Sequence, residues 1–170
     1  MKKMIAILIC ALLLTGATAY ATVYQVPQPV RILDGAAGVW QVPSIGTSSP
    51  VYPKHDRVGQ DVVDADDSAL IIDYGAGKAI LDHNNSVVGN GKWEVGEIRV
   101  GDTAWLITEE DTTEYACYMV CEAVNTGHGY RLDGTGLYPH RSSDILCVSC
   151  IPDTENGVYI AFFKYVGLWG

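Results

Sequence analysis

From about position 39 onward the chain is written in short runs of β-branched and aromatic residues, each closed by glycine, aspartate, asparagine or proline. Val39-Trp40-Gln41-Val42-Pro43 begins the series. Further extended pieces are expected at 51–53, 69–73, 78–82, 93–100, 103–108, 113–124, 142–150 and 157–166. Turn-rich sequence separates them, and 44–50 reads as one such connection. Strand-sized runs at spacings of roughly 8–15 residues, with no long amphipathic helix among them, favour an all-β, closed or partly closed barrel. A chain of 170 residues suffices for one such domain with a core of its own.

Two of the runs end on residues that carry chemistry. Ser142-Ser143-Asp144-Ile145-Leu146-Cys147-Val148-Ser149-Cys150 is a strand that stops at a cysteine, because Ile151-Pro152 follows and proline has no N–H for the ladder. Ala79-Ile80-Leu81-Asp82-His83 likewise ends on a histidine. A thiol and an imidazole that each close a strand can pair as nucleophile and acid–base partner at a sheet rim. Cys150 and His83 are therefore the candidate catalytic residues. Asp82 is not counted as a third member, since neighbouring strand residues point to opposite faces. Asn84 and Asn85 read as turn formers. His128 and His140 fall in a glycine-rich loop, 125–141, longer than an inert connection usually is.

The N-terminus does not belong to the barrel. Lys2 and Lys3 precede an apolar run and then Ala19-Tyr20-Ala21, the layout of a secretory signal peptide over 1–21. An apolar run of ~10 residues is too short to span a bilayer. Residues 22–38, with Pro27 and Pro29, read as a partly extended, mobile lead-in, and 39–170 as the barrel domain. The formal charge of −9 becomes −11 once the two lysines are removed. Such a surface repels nucleic acid and anionic lipid. The expectation is an exported, soluble protein that meets the membrane only through its signal peptide.

Four cysteines follow the leader: Cys117, Cys121, Cys147 and Cys150. They permit two disulfides, and the same four can be written as an all-cysteine zinc site. Both pairs lie in strand-like sequence without zinc-knuckle glycines, and Cys147 and Cys150, three apart, face opposite sides of a regular strand. Cys117 and Cys121 are expected on one face as small buried hydrophobes. Zinc and redox pairing stay as minor alternatives, and no metal or cofactor is assigned. The acidic cluster 61–67 and the tip Glu109-Glu110-Asp111 read as solvated surface.

The order of these motifs resembles the sortase family. Val42-Pro43-Ser44-Ile45-Gly46-Thr47-Ser48-Ser49-Pro50-Val51-Tyr52 is similar to that family's opening "IPxIGxxxPVY" segment. Asp82-His83-Asn84 falls where the family places its histidine, and Val100-Gly101-Asp102-Thr103-Ala104 looks like its "GD" turn. Asp144-Ile145-Leu146-Cys147-Val148-Ser149-Cys150 is similar to the "LxLxTC" signature, with Ser149 in place of threonine. The resemblance, over about 39–166, implies an eight-stranded β-barrel cysteine transpeptidase of the Gram-positive cell surface, a thiol enzyme of peptide bonds. Its substrate would be a peptide or surface protein with a sorting-type motif such as Leu-Pro-x-Thr-Gly, and its amine acceptor a cell-wall precursor or a pilin. The family also carries an arginine about ten residues after the cysteine. Here no arginine follows Cys150; Tyr159 stands closest to that position, and Arg141 precedes the cysteine strand. Tyr159 and Arg141 are therefore the candidates for holding the oxyanion or the substrate. The alternative reading is a weak or inactive module of the same fold that binds a peptide or a surface partner.

Overall fold

The computed structural model describes residues 25–54, 68–73, 77–83, 94–126, 130–132 and 144–169. The predicted signal segment, the acidic cluster 61–67, His128, His140 and Arg141 lie outside them. Nine strands are present among the described residues: β1 Gly38–Val42, β2 Thr47–Pro53, β3 Ala69–Asp73, β4 Lys78–Asp82, β5 Thr103–Ile107, β6 Thr112–Asn125, β7 Tyr130–Leu132, β8 Asp144–Cys150 and β9 Gly157–Leu168. They join in the order β5-β1-β2-β3-β4-β8-β9-β6-β7, and β5 also pairs with β6. That last pairing closes eight strands into a barrel and leaves β7 as a ninth strand attached to β6.

Closure gives the sheet an inside and an outside. The inner cluster draws on all eight barrel strands, including Trp40, Val51, Ile71, Ile80, Leu106, Cys117, Cys147 and Phe163. At its centre Trp40 meets Phe163 edge-on, with centroids 5.3 Å apart at 88°, the arrangement aromatic quadrupoles favour. A second cluster, with Leu146, Val148, Ile160 and Phe162, lies on the outer face of β8 and β9 and is joined by Tyr130 of β7. Gly38 has no Cβ where one would sit 2.5 Å from the carbonyl oxygen of Ile107, so β1 and β5 can approach there.

Several expectations change. Of the strand expected at 93–100, the described residues 94–100 do not form one: Val95–Glu97 is a turn of 3-10 helix, and Val95 and Ile98, three apart, both enter the core. A 3-10 repeat of three residues stacks such a pair on one side, where a strand would split it. The expected connection over 44–50 is a 3-10 turn at Pro43–Ile45, a left-handed Gly46 (φ 66°) and the first half of β2. Thr47 and Ser49 are buried there despite their polarity.

Cys117 and Cys121 do not share a face. Cys117 pairs with Phe163 and Met119 with Phe162, so Tyr118 is an extra residue in β6, a β-bulge. The bulge reverses the alternation, and Cys117 belongs to the inner cluster while Met119 and Cys121 pack on the outer one. The lead-in is held rather than loose over its described part. Gln41, 3% exposed, accepts the main-chain N–H of Gln28 at 2.9 Å and donates back to its carbonyl at 3.1 Å, reproducing a rung of β-ladder with a side chain.

Candidate active site

Parallel pairing of β4 with β8 builds the site. The register runs Ile80↔Cys147, Leu81↔Val148 and Asp82↔Ser149. One step further along, His83 follows Asp82 and Cys150 follows Ser149, which places the two at neighbouring strand ends across a spacing of ~4.8 Å. Both are half-buried, and both line one groove of about 340 Å³ at the barrel rim. Its floor is apolar, with Leu70, Leu81, Val148 and Val158, and Lys54 stands in its wall.

Alternation sorts the remaining side chains. Cys150 follows Leu146 and Val148 on the outer face, while Cys147 belongs to the barrel interior. The predicted opposition of Cys147 and Cys150 therefore holds. All four described cysteines are free thiols. The two interior ones have their pKa values pushed up by burial: Cys117 to about 11, and Cys147 well above its usual range. Cys147 lies beside the Trp40 indole, whose N–H favours the thiolate slightly without reaching full hydrogen-bond geometry. Burial also raises the pKa of the Cys150 thiol. At neutral pH it is a thiol, so nucleophilic attack requires that a base take its proton, a task within the chemistry of His83.

Of the two predicted oxyanion residues the structure describes Tyr159, and its register sets it on the face opposite to Cys150. Tyr159 is paired with Ser149, one position before Cys150, and packs on the inner cluster with its ring 3.4 Å from where a Cβ on Gly96 would stand. The residue across from Cys150 on β9 is Val158, which is 5% exposed. An antiparallel pair projects both side chains to one face, so it is Val158 that stands at the cysteine's side. Arg141 lies outside the described residues.

Three polar groups at the rim were not assigned to the site from the sequence: Asp82, Ser149 and Lys54. Asp82 is 8% exposed, and its Oδ1 accepts the main-chain N–H of His83 at 2.7 Å. Burial, only partly offset by that hydrogen bond, raises its pKa from 3.8 to about 7. The signal was available: in Lys78-Ala79-Ile80-Leu81-Asp82, Asp82 has the parity of inward-facing Ile80. Ser149, in register with Asp82, is also buried, and its Oγ makes no hydrogen bond. Lys54 left no comparable signal, because only the order of strands brings the end of β2 to this groove.

No family model and no curated protein matches the sequence. Solved structures do. Streptococcus agalactiae sortase C1 superposes with a TM-score of 0.61 at 12% identity, over 82% of this chain and 71% of that one. Streptococcus pneumoniae sortase C gives 0.61 at 14% identity, over 84% and 82%. A sortase D5 transpeptidase of Clostridium perfringens gives 0.58 at 16%, over 81% and 83%. The barrel described above, with its histidine and cysteine strands side by side, is a sortase fold.

Proposed function

We propose that the chain is a sortase-like cysteine transpeptidase, exported to the cell surface, which acts on an extended peptide laid along the groove. The observation that supports this is the side-by-side parallel pairing of β4 and β8, whose ends bring His83 and Cys150 to one groove with an apolar floor. In the reaction, His83 takes the thiol proton and the Cys150 sulfur attacks a backbone carbonyl carbon. The C–N bond then breaks, the proton goes from the imidazole to the departing amine, and the acyl group remains as a thioester. A second amine attacks that carbonyl, the C–S bond breaks and the thiol reforms. A pilin or a cell-wall precursor is the proposed acceptor; the Streptococcus pneumoniae sortase C, similar in fold, is an enzyme with pilin substrate specificity.

The test is intact-mass spectrometry after mixing the protein with sorting-type peptides, with and without hydroxylamine. A thioester adduct that disappears in Cys150→Ala and His83→Ala and is released by hydroxylamine supports the reading. Adduct formation that persists in Cys150→Ala rejects it.

A second reading, a peptide-binding module with weak or no turnover, draws on Val158. An apolar side chain beside the cysteine supplies neither the charge nor the forked donors of a guanidinium. Loss of one oxyanion donor costs about 10²–10³ in rate in other enzymes. Peptide retention by Cys150→Ala with no adduct on the parent protein would select this reading.

A further inference from the structure

We propose that Asp82 is a positioning residue for the thiol–imidazole pair: from the inner face of the barrel its carboxylate grips the main-chain N–H of His83 and thereby fixes the imidazole beside Cys150. This rests on the reading of His83 and Cys150 as the reactive pair. The hydrogen bond of 2.7 Å joins the last residue of β4 to the first residue beyond it. His83 directly follows the last residue of β4, and this contact is one of those that hold its main chain at the strand end. Asp82 achieves this without being a triad member: it has the inward parity of Ile80, opposite to that of Cys150, lines the groove at its rim, and acts through the backbone of its neighbour.

The surroundings make the grip sensitive to charge. On the inner face, β8 presents Cys147 and Ser149 beside Asp82, and β9 presents Tyr159 in register with Ser149. β3 contributes apolar Ala69 and Ile71. On β4 itself, Lys78 lies four residues away, ~13 Å along the strand. His83 and, across the groove, Lys54 are the cationic or protonatable groups on the solvent side. Among the described residues no cation offsets the buried Asp82 carboxyl, and its titration moves to about 7. A carboxylate accepts an N–H bond about twice as strongly as a neutral acceptor, so the grip tightens as pH rises through neutrality. An imidazole held more firmly in place is better positioned to take the Cys150 proton, so the thiol's reactivity follows the titration of Asp82.

Two readouts test this without any peptide substrate. The first is the His83 amide proton shift, followed by NMR from pH 5.5 to 8.5. It should move downfield with a midpoint near 7 and lose that movement in Asp82→Asn. The second is the rate of Cys150 alkylation by iodoacetamide, resolved at the peptide level from the other three thiols. In the parent protein a step near pH 7 should lie on top of the thiol's own rise. Asp82→Asn, which keeps an acceptor oxygen, should show the rise without the step, and Asp82→Ala should react about tenfold more slowly at pH 8. A step unchanged in Asp82→Asn does not come from Asp82 and overturns the proposal, as does an amide shift indifferent to that substitution. Should Asp82→Ala fail to fold, Asp82→Asn carries both measurements. If both hold while no peptide adduct ever forms, the transpeptidase reading fails and the role of Asp82 stands.

Discussion

Asp82→Asn should make the protein more stable at pH 8 and leave it unchanged near pH 4. Burial holds the Asp82 carboxyl at about 7 in the folded state against an ordinary 3.8. Between those values the folded chain keeps a proton that the unfolded chain has released. Stability therefore falls as pH rises through that window, and the full penalty is reached just above 7. At ~1.4 kcal/mol for each tenfold change in acidity, the unscreened penalty is ~4 kcal/mol. The groove brings water to one side of the carboxyl, and roughly half that, ~2 kcal/mol, is the expected size after screening. Asparagine keeps the oxygen that accepts the His83 N–H and cannot ionise. Urea denaturation of both proteins at pH 4 and pH 8 is the assay, read as a difference in midpoint at equal slope. The two should coincide at pH 4, and the variant should lead at pH 8, by about 4–8 °C if followed as Tm. Parallel stability curves from pH 4 to 8, or a variant weaker at pH 8, would show that the carboxylate is compensated when ionised and would refute the reasoning.

Other consequences can be checked with similar means. Val158→Arg should raise thioester formation at least tenfold by setting a guanidinium across from Cys150, at a stability cost of ~1–3 kcal/mol; a folded variant with unchanged turnover would contradict the assigned register. Ser149→Ala should be neutral or slightly stabilising, because its buried hydroxyl has no partner to lose, and a loss above ~1 kcal/mol would reveal a bond the fold does not show. Thiol titration of the native protein should label Cys121 and Cys150 quickly, while Cys117 and Cys147 react only on unfolding. Deleting Tyr118 should destabilise the barrel far more than Tyr118→Ala, since removing the bulge would invert the facing of one half of β6 relative to the other; equal effects would argue that the bulge is dispensable.

The barrel was legible in the sequence because strand periodicity and turn chemistry are local. Cys150 and His83 could be singled out for the same reason: a proline after one and polar turn residues after the other mark strand ends in one dimension. Facing was less secure. One inserted residue, Tyr118, reverses every parity after it, and no residue type announces a bulge. Tyr159 was singled out through counting of the same kind. It is nearest in number to the expected arginine, yet the antiparallel register gives the place beside Cys150 to Val158. Val95 and Ile98 carry β-branched side chains, but their spacing of three served a helical turn that plugs the core. Lys54 reaches the groove only through sheet order, which is a property of the whole chain.

The parallel pairing that makes the site also sets when it can exist. Ile80 meets Cys147 across 67 positions of chain, whereas β8 and β9 are joined by a short turn. Loop closure of that length is an entropic cost met before the contact returns anything, and non-local pairings of this kind slow folding. A chain synthesised from its N-terminus presents residue 83 long before residue 150, so the imidazole waits without its thiol. The proposed thiol–imidazole pair is thus absent from every partly folded form and is assembled together with the finished barrel. The thiol is in that sense a clock for the end of folding: its alkylation rate should rise in step with β4–β8 docking, after the hairpin signal of β8 and β9 has already been reached.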